Sequence, residues 1–111
     1  HQPVKDVAFR VLCLNHSLLS YIAALGAHRE KIERSDLLQL IDDAVSLTEN
    51  VLQMSPAGEQ QIPEKLQALT REMNTIEANP ESHQPVILQQ IGLILKVLPE
   101  LLNIRQEINA L

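Results

Sequence analysis

The sequence has few aromatic residues, glycines and cysteines. Phe9 and Tyr21 are the two aromatic residues in 111, tryptophan is absent, and there are three glycines. β-Sandwiches and barrels depend on β-branched and aromatic core residues and on glycine-rich turns, so the composition favours helices instead. A single cysteine, Cys13, excludes an internal disulfide and a zinc site made of several thiolates. We therefore expect a helical core of leucine, isoleucine, valine and alanine.

The sequence also lacks clustered positive charge. The net charge is −5, and the nine lysines and arginines occur singly along the chain. Binding to a phosphate backbone requires several neighbouring cations. We therefore expect no nucleic-acid partner.

Catalytic and metal-binding patterns are missing as well. Asp42 and Asp43 are adjacent, so on a helix they point about 100° apart and cannot share a proton as a catalytic dyad does. No glycine-rich phosphate loop occurs. The histidines show no metal-ligand spacing: His1, His16, His28 and His83. We expect no enzymatic activity, no metal and no cofactor.

Four segments have helical periodicity, at residues 4–33, 35–54, 62–78 and 83–110. Breaks fall at Ser35-Asp36, at Ser55-Pro56-Ala57-Gly58 before Pro63, and at Asn79-Pro80. Short connections between helices are typical of antiparallel neighbours. The sequence predicts an all-α fold: one domain over residues 1–111, forming an antiparallel up-down-up-down four-helix bundle.

The fourth segment is apolar over more than half its circumference, and Pro99 inside it should bend the helix. Such a helix needs more cover than an outer bundle helix. Leu88, Leu95 and Leu102 recur at heptad spacing on this surplus surface. Either the other helices cover them, or they form a self-association or docking interface.

The first segment is the longest amphipathic helix, and its apolar stripe carries two polar residues. Val7, Val11, Leu14, Leu18, Ile22 and Leu25 fall on one side. Asn15 and Arg29 lie on or beside that stripe, where other helices should satisfy them. One interpretation is structural: Asn15 fixes helix register, and Arg29 meets free carbonyls at the helix end. The alternative is a pocket for an anionic small molecule, lined by Asn15, Tyr21 and Arg29.

The longest stretch without charge, Val11 to Ala27, raises the question of a membrane span. Four polar residues interrupt it: Asn15, His16, Ser17 and Ser20. Since a spanning helix needs about 20 mainly apolar residues, we expect this one not to cross a bilayer alone. The start, His1-Gln2-Pro3, leads us to expect that the chain belongs to a longer protein.

Residues 14–31, LNHSLLSYIAALGAHREK, resemble a motif of the YccS/YhfK-type inner-membrane proteins in the fusaric-acid-resistance (FUSC) superfamily. Ten positions carry the match: His16, Leu18, Leu19, Tyr21, Ala24, Leu25, Gly26, Ala27, His28 and Arg29. Residues 89–105, QQIGLILKVLPELLNIR, resemble the last helix of the same region. This resemblance implies a cytoplasmic helical domain near the C-terminus of a multi-spanning protein, and it supplies no catalytic residues.

The resemblance and the surplus apolar surface lead to one principal hypothesis. The chain is an accessory or assembly domain of a membrane transporter or efflux component at the cytoplasmic face of the bacterial inner membrane. Its partners are the membrane-spanning part of its own protein or further copies of itself, and it acts through helix–helix contacts. The alternative is the anion-sensing domain with a pocket between helices.

Overall fold

The structure is a computed structural model that describes residues 3–53 and 61–110, with side chains from 4 to 53 and from 61 to 108. Four helices account for its regular structure, and no strand occurs in those two ranges: α1 (Pro3–Arg29), α2 (Ser35–Gln53), α3 (Ile62–Thr75) and α4 (Gln84–Ala110). The predicted all-α class is therefore confirmed. The turn predicted at residues 55–58, the predicted end of helix 2 at Met54 and the position of His1 lie outside the described residues.

α1 ends four residues earlier than the sequence indicates. The N–H groups of Lys31 and Ile32 donate to the carbonyls of His28 and Arg29, at 3.0 and 3.1 Å. These i→i+3 bonds close the helix with a turn instead of continuing it. Ile32 then packs against the core. The turn is favoured because it returns an apolar side chain to the bundle.

α3 also ends early, at Thr75 instead of residue 78. Ile76 is extended, with φ −90° and ψ 126°, and its N–H donates to the carbonyl of Met73 at 3.3 Å. Its side chain packs against the core. At both helix ends, burial of one isoleucine accompanies the end of the helical hydrogen-bond series.

Among the described residues, α4 contributes more buried side chains than any other helix. Eight of its side chains are at most 9% exposed, and all of them are aliphatic: Ile87, Ile91, Ile94, Val97, Leu98, Leu101, Leu102 and Ile104. Its most extensive contacts are with α1, and it also packs against α2 and α3. As predicted, this helix needs more cover than an outer bundle helix, and the other three helices provide it together.

Arg34 joins the two connections at one end of the bundle. Its guanidinium donates to both carboxylate oxygens of Asp36, at 3.0 and 2.6 Å. The same group donates to the carbonyl oxygen of Glu77 at 2.6 Å and to Oε1 of Gln84 at 2.9 Å. The α1–α2 connection is therefore tied to the start of α2, to the α3–α4 connection and to the start of α4.

A second arginine joins α2 and α4 at their other ends. Arg105 donates to the carbonyl oxygen of Val51 at 2.6 Å, near the end of each helix. The first turns of α2 and α4 therefore lie at one end of the bundle, and their last turns lie at the other end. An up-down-up-down order requires this of the second and fourth helices. The antiparallel order and the bend at Pro99 stay predictions.

We expect Ile91→Ala to destabilise the chain by about 2–5 kcal/mol, because Ile91 is fully buried and truncation leaves a cavity. Ile108 is the matched control on the same helix, since it is 37% exposed. Ile108→Ala should cost less than about 1 kcal/mol. Urea denaturation followed by circular dichroism measures both values. Equal losses would contradict the burial of α4.

Arg34→Lys keeps the positive charge but removes the planar fork that contacts three groups at once. We expect it to lower the urea midpoint and to speed hydrogen exchange in the α3–α4 connection. Arg10→Lys is the control, because the ion pair of Arg10 with Glu100 is 3.6 Å long and both side chains are about half exposed. An Arg34 variant as stable as the Arg10 variant would show that the bonds of Arg34 contribute nothing.

Candidate functional site

Arg29, one of the three residues predicted to line a ligand pocket, is paired within the chain. Its Nε and Nη2 atoms donate to the two carboxylate oxygens of Asp42 in α2, at 2.9 and 3.0 Å. Both side chains are about half exposed. The Arg29 guanidinium holds the pKa of Asp42 below its usual value, mainly through this hydrogen bond. The expectation that another helix satisfies Arg29 is thus met by Asp42.

The structure does not bring the other two predicted ligand residues to Arg29. Asn15 lies fourteen residues before Arg29 on the same helix, which is about 21 Å along the axis. Tyr21 lies about 120° around the helix from Asn15 and packs against the core. A shallow groove of about 280 Å³ does adjoin Arg29 and Asp42, but neither Asn15 nor Tyr21 lines it. The three residues therefore form no common pocket.

Asn15 departs from the sequence-based expectation in another way. Its Oδ1 atom is buried and accepts no hydrogen bond from the described residues. α1 packs most extensively against α4, whose buried side chains are all aliphatic and have no donor to offer. The expectation that another helix satisfies Asn15 is wrong for this atom.

Two histidines meet at the end of the bundle near Arg34. The rings of His28 and His83 have centroids 5.6 Å apart and are tilted by 40°. Nδ1 of His28 is buried and has no hydrogen-bond partner among the described residues. Across the part of the chain that the structure describes, no three His, Cys, Asp or Glu side chains group closely enough to hold a metal ion.

The three leucines predicted as an interface on the last helix lie largely against the core. Leu102 is 8% exposed, and Leu88 and Leu95 are half-buried against the core residues. Leu95 also lines a groove of about 370 Å³ between α3 and α4, together with Pro99. An interface through these three leucines stays a prediction, with little apolar surface left to bury.

Among the described residues, the most exposed large apolar side chains belong to α1, and three of them lie on the side opposite its stripe. Phe9 and Leu12 are each 65% exposed, and Leu19 is 56% exposed. Sequence reasoning concentrated on the stripe and on α4 and missed this surface. Its signal was nevertheless present, because apolar residues also recur at positions 9, 12 and 19 on the other side of the wheel.

Among the described residues, two helices are long and apolar enough to cross a membrane, by length and composition alone: Val4–Arg29 and Gln84–Ile108. The core helix of a soluble protein passes the same test. In α4, 39% of the most apolar stretch is buried, whereas in α1 only 6% is. α1 is therefore an apolar helix that the bundle covers along one edge.

A groove of about 260 Å³ between α2 and α3 contains two carboxylates, Asp43 and Glu72. Desolvation raises the pKa of Glu72, and the charge of Asp43 and a hydrogen bond with it raise the pKa further. Gln39 donates a second hydrogen bond to Asp43, at 2.8 Å. Asp43 therefore repels the ionised form of Glu72 at neutral pH.

We expect Glu72→Gln to stabilise the chain at neutral pH. A carboxyl group whose pKa is raised by folding binds more protons in the folded state, so stability falls as the pH rises from about 4.5 through the folded pKa. Glutamine resembles the protonated form and should abolish this fall. Urea midpoints between pH 4 and pH 8 test it, with Glu64→Gln on the same helix as control. If the urea midpoint of the variant depended on pH as that of the original chain does, the repulsion between Asp43 and Glu72 would be contradicted.

The chain is similar to two curated proteins over nearly its whole length. It is 40% identical over 105 residues to Inner membrane protein YccS of Escherichia coli (strain K12), covering 95% of this chain and 15% of that protein. It is 30% identical over 125 aligned positions to an uncharacterized protein of Haemophilus influenzae, covering 98% of the chain and 17% of that protein. No family model and no solved structure matches.

The chain thus spans less than one fifth of the length of the curated relatives it matches. The similarity includes the residues 14–31 motif, since it extends over 95% of the chain. The resemblance implied by that motif is confirmed: the chain is a four-helix domain related to one part of the inner-membrane protein YccS.

Proposed function

We propose that the chain is an assembly domain of a multi-spanning inner-membrane protein and acts through helix–helix contacts. The similarity to YccS supports its association with a membrane protein. The family resemblance further suggests a transporter or efflux component, with this domain at the cytoplasmic face. In this proposal the domain performs no catalysis and needs no cofactor, and it positions the membrane-spanning part of its own protein.

The observation that carries the proposal is the uncovered apolar surface of α1. A surface helix of a globular domain usually has a polar outer side. Here Phe9, Leu12 and Leu19 lie on the outer side, each more than half exposed. Contiguous exposed apolar side chains on a folded domain are typical of interaction sites. α1 therefore has one side for its own bundle and a second side for a partner.

The full-length protein that contains this chain provides the test. We expect Leu12→Glu to reduce the size of the detergent-solubilised protein in size-exclusion chromatography with light scattering, because a carboxylate cannot be buried in an apolar contact. Val86→Glu is the control, since Val86 is an exposed apolar residue on α4, at 39%. Assembly that is equally sensitive to both changes, or to neither, would count against α1 as the contact surface.

A further inference from the structure

The outer side of α1 has a defined composition along its length. Seven exposed residues of α1 and Glu30, the first residue after its end, lie within about 100° of the helix circumference, and we call them the outer face: Lys5, Phe9, Leu12, His16, Leu19, Ala23, Gly26 and Glu30. Phe9 and Leu12 lie in its first half, the small residues Ala23 and Gly26 lie in its second half, and His16 and Leu19 lie at its centre. A lysine precedes the series and a glutamate follows it. The face is therefore asymmetric in both size and charge.

We propose that the outer face binds the outer face of a second copy of this chain, with the two α1 helices antiparallel. A two-fold axis between positions 17 and 18 places Phe9 and Leu12 opposite small residues, and it places each lysine opposite a glutamate. The facing pairs are Lys5 with Glu30, Phe9 with Gly26, Leu12 with Ala23, and His16 with Leu19. This inference rests on the proposed function and names the partner as an identical domain.

The antiparallel direction follows from the same asymmetry. In a parallel pair, Phe9 would meet Phe9 and Lys5 would meet Lys5, so large residues and like charges would coincide. A symmetric dimer contact must be complementary to itself, and the antiparallel arrangement alone meets this requirement here. Opposed helix dipoles favour it as well.

Gly26 supplies independent support, because nothing in its own bundle requires a glycine there. A Cβ atom added at this position would meet no atom within 4 Å. Glycine in a helix interior costs about 1 kcal/mol relative to alanine. Gly26 is exposed and borders the shallow groove between α1 and α2, and in the proposed pair the space beside it receives the Phe9 ring of the other copy.

The contact area predicts a weak dimer. The outer face is about 38 Å long and about 10 Å wide, so each copy buries about 400 Å². That is about half of what a standard stable interface buries per partner. We therefore expect association in the micromolar range or weaker for the separate chain.

Sedimentation equilibrium over an approximately hundredfold range of concentration measures this association. Lys5→Glu and Glu30→Lys should each weaken the dimer by about 3- to 10-fold, because either change creates two pairs of like charges at the rim. The double variant should recover the original affinity. Two single losses without recovery in the double variant would overturn the register.

Gly26→Leu tests the contact with Phe9, because the proposed pairing predicts weaker association where added apolar surface alone would predict stronger association. Added apolar surface promotes non-specific association, but here the leucine occupies the space for the Phe9 ring. We expect at least about a tenfold loss of affinity. Asn103→Leu on α4, also at an exposed position, should leave the dimer unchanged. Circular dichroism checks that every variant remains helical.

Disulfide trapping tests the direction of the helices. In a Cys13→Ser background, Leu12→Cys mixed with Ala23→Cys should give a mixed disulfide, whereas neither variant should cross-link with itself. Two Leu12 positions lie about 16 Å apart in the antiparallel pair, too far for a disulfide. Self-cross-linking by Leu12→Cys would indicate a parallel pair and overturn the proposal.

Two further outcomes separate this inference from the proposed function. A chain that stays monomeric while Leu12→Glu still disrupts the full-length protein would overturn the self-pairing and leave the assembly role intact. Co-sedimentation with vesicles of inner-membrane lipids that Leu12→Glu abolishes, without dimer formation, would also overturn the self-pairing, since the bilayer would then cover the face. A concentration-dependent dimer that is unaffected by lipid supports it.

Discussion

The structure depends on the burial of α4. This helix is apolar around more than half of its circumference, and it has to be covered from several directions at once. α1, α2 and α3 supply that cover, and α1 contributes the most extensive contact. In doing so α1 uses a single edge. A helix nearly as apolar as α4 is thereby placed on the outside of the bundle, which is the origin of the exposed face.

Polar interactions are concentrated at the ends of the helices, where they fix the order of the elements. Arg34 and Arg105 each donate a hydrogen bond to a backbone carbonyl oxygen of a different element, with an N–O distance of 2.6 Å in both cases. Arg29 joins α1 to α2 through Asp42. If a helix shifted by one turn, its leucine and isoleucine side chains could form similar apolar contacts with new neighbours. The hydrogen bonds of a planar guanidinium fork would be lost, because they need acceptors at fixed positions. These arginines therefore select one register for a core that is otherwise permissive.

The sequence alone was sufficient for the number and position of the helices, because hydrophobic periodicity depends only on residues of the same segment. Helix ends were less predictable: α1 stops at Arg29 because Ile32 turns back to the core, which the segment itself does not encode. The site was the least predictable part. A helical wheel counts apolar residues but does not show which are covered, so it does not distinguish the exposed Leu12 of α1 from the half-buried Leu95 of α4.

A weak contact surface is consistent with the size of the chain relative to its curated relatives. Two domains that belong to larger proteins in one membrane are held at a high effective concentration, so a small interface is sufficient to pair them. The net charge of −5 per chain also weakens the association of separate copies, because like charges repel each other at long range. Physiological salt screens that repulsion beyond about 8 Å, so apolar contacts between facing helices are hardly weakened by it. A strip of exposed leucine and phenylalanine is thus compatible with the proposed pairing, which depends on the copies being brought together.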